Sequence, residues 1–131
     1  MKLLLDTHIW LWSFLEPHKV SSEVTRELAS QDNDRFLSAV SIWEAVVLMD
    51  KKRLRIALDF GEWFKMSKQD LNLIELPVTW EVAHELRFTQ MRYRDPADRS
   101  LVATAKVYDL TLVTADARLM KVPGLAILPN Q

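Results

Sequence analysis

"MKLLLDTHIW" occupies Met1–Trp10. Lys2–Leu5 read as a short buried β-strand, continuously apolar rather than alternating. Such a run suits a parallel sheet covered on both faces. Asp6 follows the strand with no gap. Aspartate is a poor strand former and is expensive to bury unless paired or bound to a cation. "THIWLWSFLE" then begins a helical pattern at once. The joint between strand and helix is therefore an acid.

The same unit recurs along the chain. Further short apolar runs lie at Arg35–Ser38, Leu73–Leu76, Thr111–Thr114 and Ala126–Leu128. Helical patterns separate them: "SSEVTRELASQ", "SIWEAVVLMDKKR", "DFGEWFKMSKQ", "TWEVAHELRFTQM", "DPADRSLVATAKVYD" and the short "DARLMK". The fifth of these starts strongly, with Asp95 as N-cap and Pro96 at the first helical position. Repeated β-then-α units predict an α/β fold, a three-layer α/β/α sandwich around a mostly parallel central sheet. Crossovers are expected to be right-handed. A length of 131 residues predicts one domain over residues 1–131.

Composition excludes several classes. The chain is 49% hydrophobic, enough for a packed core, and its net charge of −1 announces neither a polyanion binder nor a membrane-surface protein. No apolar run is long enough to span a bilayer, and no signal peptide opens the chain. Cysteine is absent, which removes disulfides and thiolate metal sites and fits a reducing cytoplasm. With only Gly61 and Gly124, there is no Walker loop and no GxGxxG fingerprint. His8, His18 and His84 stand without ligand spacing.

The acids concentrate differently. In a parallel α/β sheet, each strand ends at the carboxyl edge and the next helix starts there. Asp6 ends strand one, and Glu44 falls in the first turn of the helix after strand two. Asp98 falls in the first turn of the helix leading to strand four, and Asp116 follows "TLVT". Ligands of open α/β sheets bind at that edge. Each acid also has an ordinary reading. Ser41 and Glu44 make a capping box, Asp98 suits a helix dipole, and Asp116 is an N-cap. Asp6 is harder to explain so, because Thr7 can cap the first helix instead. Clustered carboxylates raise each other's pKa values unless a cation neutralises them. Hard oxygen donors favour Mg²⁺ or Mn²⁺.

"LLLDTH", "SAVSIWE", "RDPADRSLVATA" and "LVTADARL", in this order, resemble the PIN-domain family, and within it the VapC-type toxins of type II toxin–antitoxin pairs. The resemblance spans nearly the whole chain. It implies a PIN-like sandwich, a Mg²⁺- or Mn²⁺-dependent endoribonuclease, and acidic site positions at Asp6, Glu44, Asp98 and Asp116. Asp6 and Asp98 are the expected direct ligands. Glu44 and Asp116 would ligate, bind through water or orient the nucleophile. Ser41 and Thr114 lie beside the acids as supporting donors or as caps. The implied partners are RNA, a small antitoxin occluding the site and a second copy of the chain in a homodimer. No membrane is involved, and a cytoplasmic location is expected. The alternative is a catalytically inert PIN-like module that binds RNA or protein.

Other features are less specific. Arg87, Arg92 and Arg94, with Arg99, form a basic group near the DPADR block and are candidate RNA contacts. Lys51, Lys52, Arg53 and Arg55 read first as charge at a helix end. His8 reads as structural. Trp63, Phe64 and Met66 lie on a helix outside the core pattern and offer an apolar surface to an antitoxin helix or a second protomer. Two enzymes of similar design fit less well. A haloacid-dehalogenase-like phosphatase needs a second Asp where His8 stands. A response-regulator receiver needs a phosphoacceptor Asp that "LIELP" does not supply.

Overall fold

β1 (Lys2–Leu5) lies at the centre of a five-stranded parallel sheet in the computed structural model, which describes residues 1–89 and 95–131. After β1 come α1 (Thr7–Leu15), α2 (Ser22–Ala29), β2 (Asp34–Ser38) and α3 (Ala39–Asp50). There follow α4 (Phe60–Asp70), β3 (Leu73–Leu76), α5 (Trp80–Glu85) and α6 (Pro96–Tyr108). β4 (Thr111–Thr114), α7 (Ala117–Met120) and β5 (Ile127–Pro129) complete the chain. Short 3₁₀ turns follow α1 and α5, at Pro17–Lys19 and Leu86–Phe88. The strand order is β3-β2-β1-β4-β5, and every adjacent pair is parallel.

Continuous apolar strands are what this sandwich requires. Leu3 and Leu5 face one cluster with Ile9, Trp10, Val24, Leu28 and Trp63, from α1, α2 and α4. Leu4 faces the opposite cluster with Leu101, Val102, Ala105 and Leu119, from α6 and α7. All three leucines are fully buried, each contributing about 2 kcal/mol relative to exposure. In register, Leu4 stands between Phe36 and Leu112.

Several expectations shift: β2 begins at Asp34, one residue earlier than expected, and α5 ends at Glu85 and passes into a 3₁₀ turn. β5 runs Ile127–Pro129, one residue later than the apolar run suggests. Pro129 is tolerated because β5 is an edge strand with no further neighbour to hydrogen-bond. α3 starts at Ala39, with Ser38 as its cap, whose hydroxyl accepts from Val40 N–H at 3.1 Å. The capping box at Ser41 and Glu44 therefore does not form, and Glu44 lies in the second turn. Of the apolar surface expected at Trp63, Phe64 and Met66, Met66 is exposed and Phe64 half-buried, but Trp63 is not available. Trp63 is 3% exposed and packs against Trp10 and Phe14 at 5.2 and 5.9 Å. Trp10 in turn donates from Nε1 to Ser67 Oγ at 3.2 Å.

Arg35 is the unusual core residue. It lies on β2, is 7% exposed, and its guanidinium donates to the carbonyls of Leu28, Ser30 and Leu71. Those carbonyls end α2 and α4, where helices leave acceptors unsatisfied. A cation there also complements two helix dipoles.

Candidate acidic site at the carboxyl edge

The strand order reverses direction at β1 and β4, so the crevice opens at their carboxyl ends. Leu5 is paired with Val113, so the next residues out, Asp6 and Thr114, stand side by side. Asp6 N–H donates to Val113 O at 2.9 Å, which fixes the backbone. The Thr114 hydroxyl donates to Asp6 Oδ2 at 2.6 Å and accepts from Asp116 N–H at 3.0 Å. One threonine thus joins two of the acids. Asp6 occupies the cap position of α1 but makes no capping bond.

α1 and α3 bring the next group together. The Thr7 hydroxyl lies 2.6 Å from Glu44 Oε1 and 2.8 Å from Ser41 Oγ. It has one proton, and the carboxylate is the stronger acceptor. Ser41 is fully buried, so its hydroxyl serves this bridge and not a helix cap. Asp98 sits in the first turn of α6, where its N–H is capped by Asp95 Oδ1 at 3.1 Å. Asp116 caps α7 by accepting from Arg118 N–H at 2.8 Å, and its carboxylate also pairs with the Arg118 guanidinium at 2.9 Å.

The acids act on one another through their charges. Burial raises the pKa of Asp6, against the Thr114 hydroxyl and the nearby His8, while Asp116 raises it further. Burial also raises Glu44 against the Thr7 hydroxyl, and the charges of Asp6 and Asp95 add to the rise. Asp98 is pushed up to about 7, first by burial and then by Asp95, Asp6, Asp116 and Glu44. Asp116 moves down, chiefly because of its hydrogen bond with the Arg118 side chain.

The edge therefore gathers Asp6, Glu44, Asp98 and Asp116, with Asp95 as a fifth acid. Carboxylate oxygens are the donors that Mg²⁺ and Mn²⁺ prefer, and a cation would offset the repulsion that acts on Asp98. In chemistry the donor set fits such an ion. In position it is open: among the described residues, no three His, Asp or Glu side chains lie close enough together to hold one metal ion. Thr7, Thr114 and Arg118 each hold an acid in its present orientation.

Three participants escape sequence reading. Thr7 looks like a cap, and only the fold shows it reaching Glu44. His8 is exposed against Trp12 at 5.6 Å, and its charge acts on Asp6 and Glu44. Arg118 stands two residues past Asp116, a spacing that signals a local pair only once α7 is known to begin there. Of the basic group, Arg99 donates from Nη2 to Leu86 O at 2.7 Å and so ties the second 3₁₀ turn to α6. Arg87 is exposed, and Arg92 and Arg94 lie outside the described residues.

An α/β/α sandwich with an acidic carboxyl edge is compatible with a PIN-type fold, and the PIN domain family model matches residues 3–125 of this chain. The chain belongs to the PIN-domain family. Its relatives include Ribonuclease VapC22 of Mycobacterium tuberculosis (strain ATCC 25618 / H37Rv), 26% identical over 117 residues, covering 89% of this chain and 88% of that protein. Among solved structures, VapBC2 from Rickettsia felis, bound to a DNA fragment from its promoter, aligns over 100% of both chains. Its TM-score is 0.70 at 18% identity. DNA-bound VapBC from Salmonella typhimurium aligns over 98% of both, with a TM-score of 0.70 at 17% identity. These two likenesses are of fold.

Proposed function

We propose that the chain is a metal-dependent endoribonuclease, the toxin of a type II toxin–antitoxin pair, acting in the cytoplasm. The observation that carries this reading is the concentration of like charge at the carboxyl edge, where four other acids act on Asp98. The named ribonuclease relative supports the same chemistry. Asp6 and Asp98 are the direct ligands of a Mg²⁺ or Mn²⁺ ion. Glu44 and Asp116 complete its surroundings or orient the attacking water. Ser41 acts through Thr7, which holds Glu44, and Thr114 holds Asp6. A bound divalent ion lowers the pKa of water and acts as Lewis acid toward the phosphoryl oxygens. Arg87, Arg92, Arg94 and Arg99 are the candidate contacts to RNA phosphates, although Arg99 already serves the fold.

The partners follow the same logic. A small antitoxin covers the acidic edge and directs a basic side chain at Asp6 and Asp98. A second copy of the chain covers the exposed stripe of Trp80, His84 and Phe88 on α5 and its 3₁₀ turn. Light scattering on the pure protein tests the homodimer. No helix among the described residues is long and apolar enough to cross a membrane.

The open arrangement of the acids, with Asp116 held by Arg118, favours one other reading, an inert RNA- or protein-binding module. One experiment separates the two. Purified protein is incubated with pooled RNA in Mg²⁺, Mn²⁺ or EDTA. Cleavage that needs the metal and stops in EDTA is expected. RNA left intact under all three conditions would point to the inert module, and undiminished cleavage in EDTA would sink the metal mechanism.

A further inference from the structure

At the amino edge of the sheet, opposite the acids, a cavity of about 710 Å³ opens between the end of α1, α2, the start of β2 and the end of α4. Arg35 forms part of its wall. The guanidinium spends Nε and Nη1 on the three helix-end carbonyls, and its Nη2 keeps two N–H donors with no partner among the described residues. Arg35 is more than nine-tenths buried as a whole, and Nη2 is the part of its guanidinium that solvent still reaches.

Asp70 lines the same cavity. It is the residue before Leu71, whose carbonyl accepts from Arg35 Nε. Yet Asp70 and Arg35 form no ion pair. Asp70 also ends α4, where the helix dipole disfavours a negative charge. Two opposite charges line one cavity without pairing with each other. Thr25, Gln31 and Asn72 add polar side chains, while Pro17, Val20, Leu28 and Leu71 supply apolar wall.

We propose that this cavity binds a small zwitterion of the amino-acid class, with its carboxylate on Arg35 Nη2, its ammonium on Asp70 and its apolar side chain against Leu28 and Leu71. The volume is within the usual range for small-ligand pockets. Asp70 excludes a simple anion as the best ligand, because its charge would oppose one. The proposal is independent of the ribonuclease reading, since the cavity and the acids lie at opposite edges.

Three probes test it on the full chain: L-phenylalanine, 3-phenylpropanoate, which lacks the amine, and phenethylamine, which lacks the carboxylate. Amide chemical shifts report where each binds. Phenylalanine is expected to move the signals of Gln31 and Asn72 with a Kd of about a millimolar, and the other two to bind at least about tenfold more weakly. Asp70→Asn, a change at an exposed position, should bring phenylalanine down to the level of 3-phenylpropanoate. Arg35 variants also disturb the fold, so Asp70→Asn carries the test. Absence of shifts at the cavity, equal binding of 3-phenylpropanoate, or unchanged binding by Asp70→Asn would each overturn the proposal.

Discussion

Replacing Asp6 by Asn keeps an oxygen to accept the Thr114 hydroxyl and removes a charge that burial disfavours. Cleavage is expected to vanish, while stability in EDTA stays equal to wild type or rises. Urea denaturation beside an RNA assay checks both. A clearly less stable Asp6→Asn protein would assign Asp6 to the fold, and an active one would remove it from the site. The pH dependence follows from the same charges. Asp98 at about 7, with Asp6 and Glu44 also raised, means the folded state holds protons that the unfolded chain releases near the ordinary carboxylate values. Stability of the metal-free protein should therefore fall as pH rises from about 4 through 7. Asp116, shifted the other way, loses its contribution only at lower pH. Denaturation in EDTA at pH 5.5 and pH 8 should show the drop, Asp98→Asn should flatten it, and Mn²⁺ should restore stability at pH 8. A metal-free protein that is more stable at pH 8 would contradict the like-charge picture.

Elements were legible where one signal had no rival. β1 and β4 fall where continuous apolar runs put them, because both faces of the sheet are covered there, and β3 keeps its expected bounds although it is an edge strand with Ile74 and Glu75 exposed. α6 starts where Asp95 and Pro96 predict, since no neighbouring residue competes for the cap. The start of α3 was ambiguous because Ser38 and Ser41 are chemically identical candidates. Only the end of β2 at Ser38 decides between them, and that releases Ser41 to meet Thr7. The sequence places the four acids at one edge from strand ends, for Asp6 and Asp116, and from helix starts, for Glu44 and Asp98, whereas their hydrogen-bond partners depend on contacts between α1, α3 and β4. Arg35 was the least legible, for its acceptors are helix-end carbonyls that only the fold brings to it. Its function is to satisfy helix-end carbonyls. Arg35→Met should leave Leu28, Ser30 and Leu71 without their donor and destabilise by about 3 kcal/mol in urea titration. Arg35→Lys should recover only part of that, because one ammonium cannot reproduce the planar fork. A neutral outcome for Arg35→Met would mean water serves these carbonyls.

Across the whole molecule, the acids gather at one edge of the sheet and Arg35 lies toward the other, and among the described residues the ion pair at the acidic edge is that of Arg118 with Asp116. A small protein that supplies a further positive charge should copurify from the native host and suppress cleavage when added back. Recovery of the chain alone, fully active, would count against that partner. Trp63 cannot serve as its anchor, being buried against Trp10, whereas Trp43, beside Glu44, is exposed. The pairing of β1 with β4 has a temporal side as well. Asp6 meets Thr114 across 108 residues of chain. A ribosome must therefore release the chain beyond Thr114 before these two side chains can touch. Fragments from a broken message or an early stop carry Asp6 without its neighbour, and they lack Asp116 altogether. If the finished protein destroys RNA, the cell that makes it is exposed to harm only by completed copies, never by those still being translated.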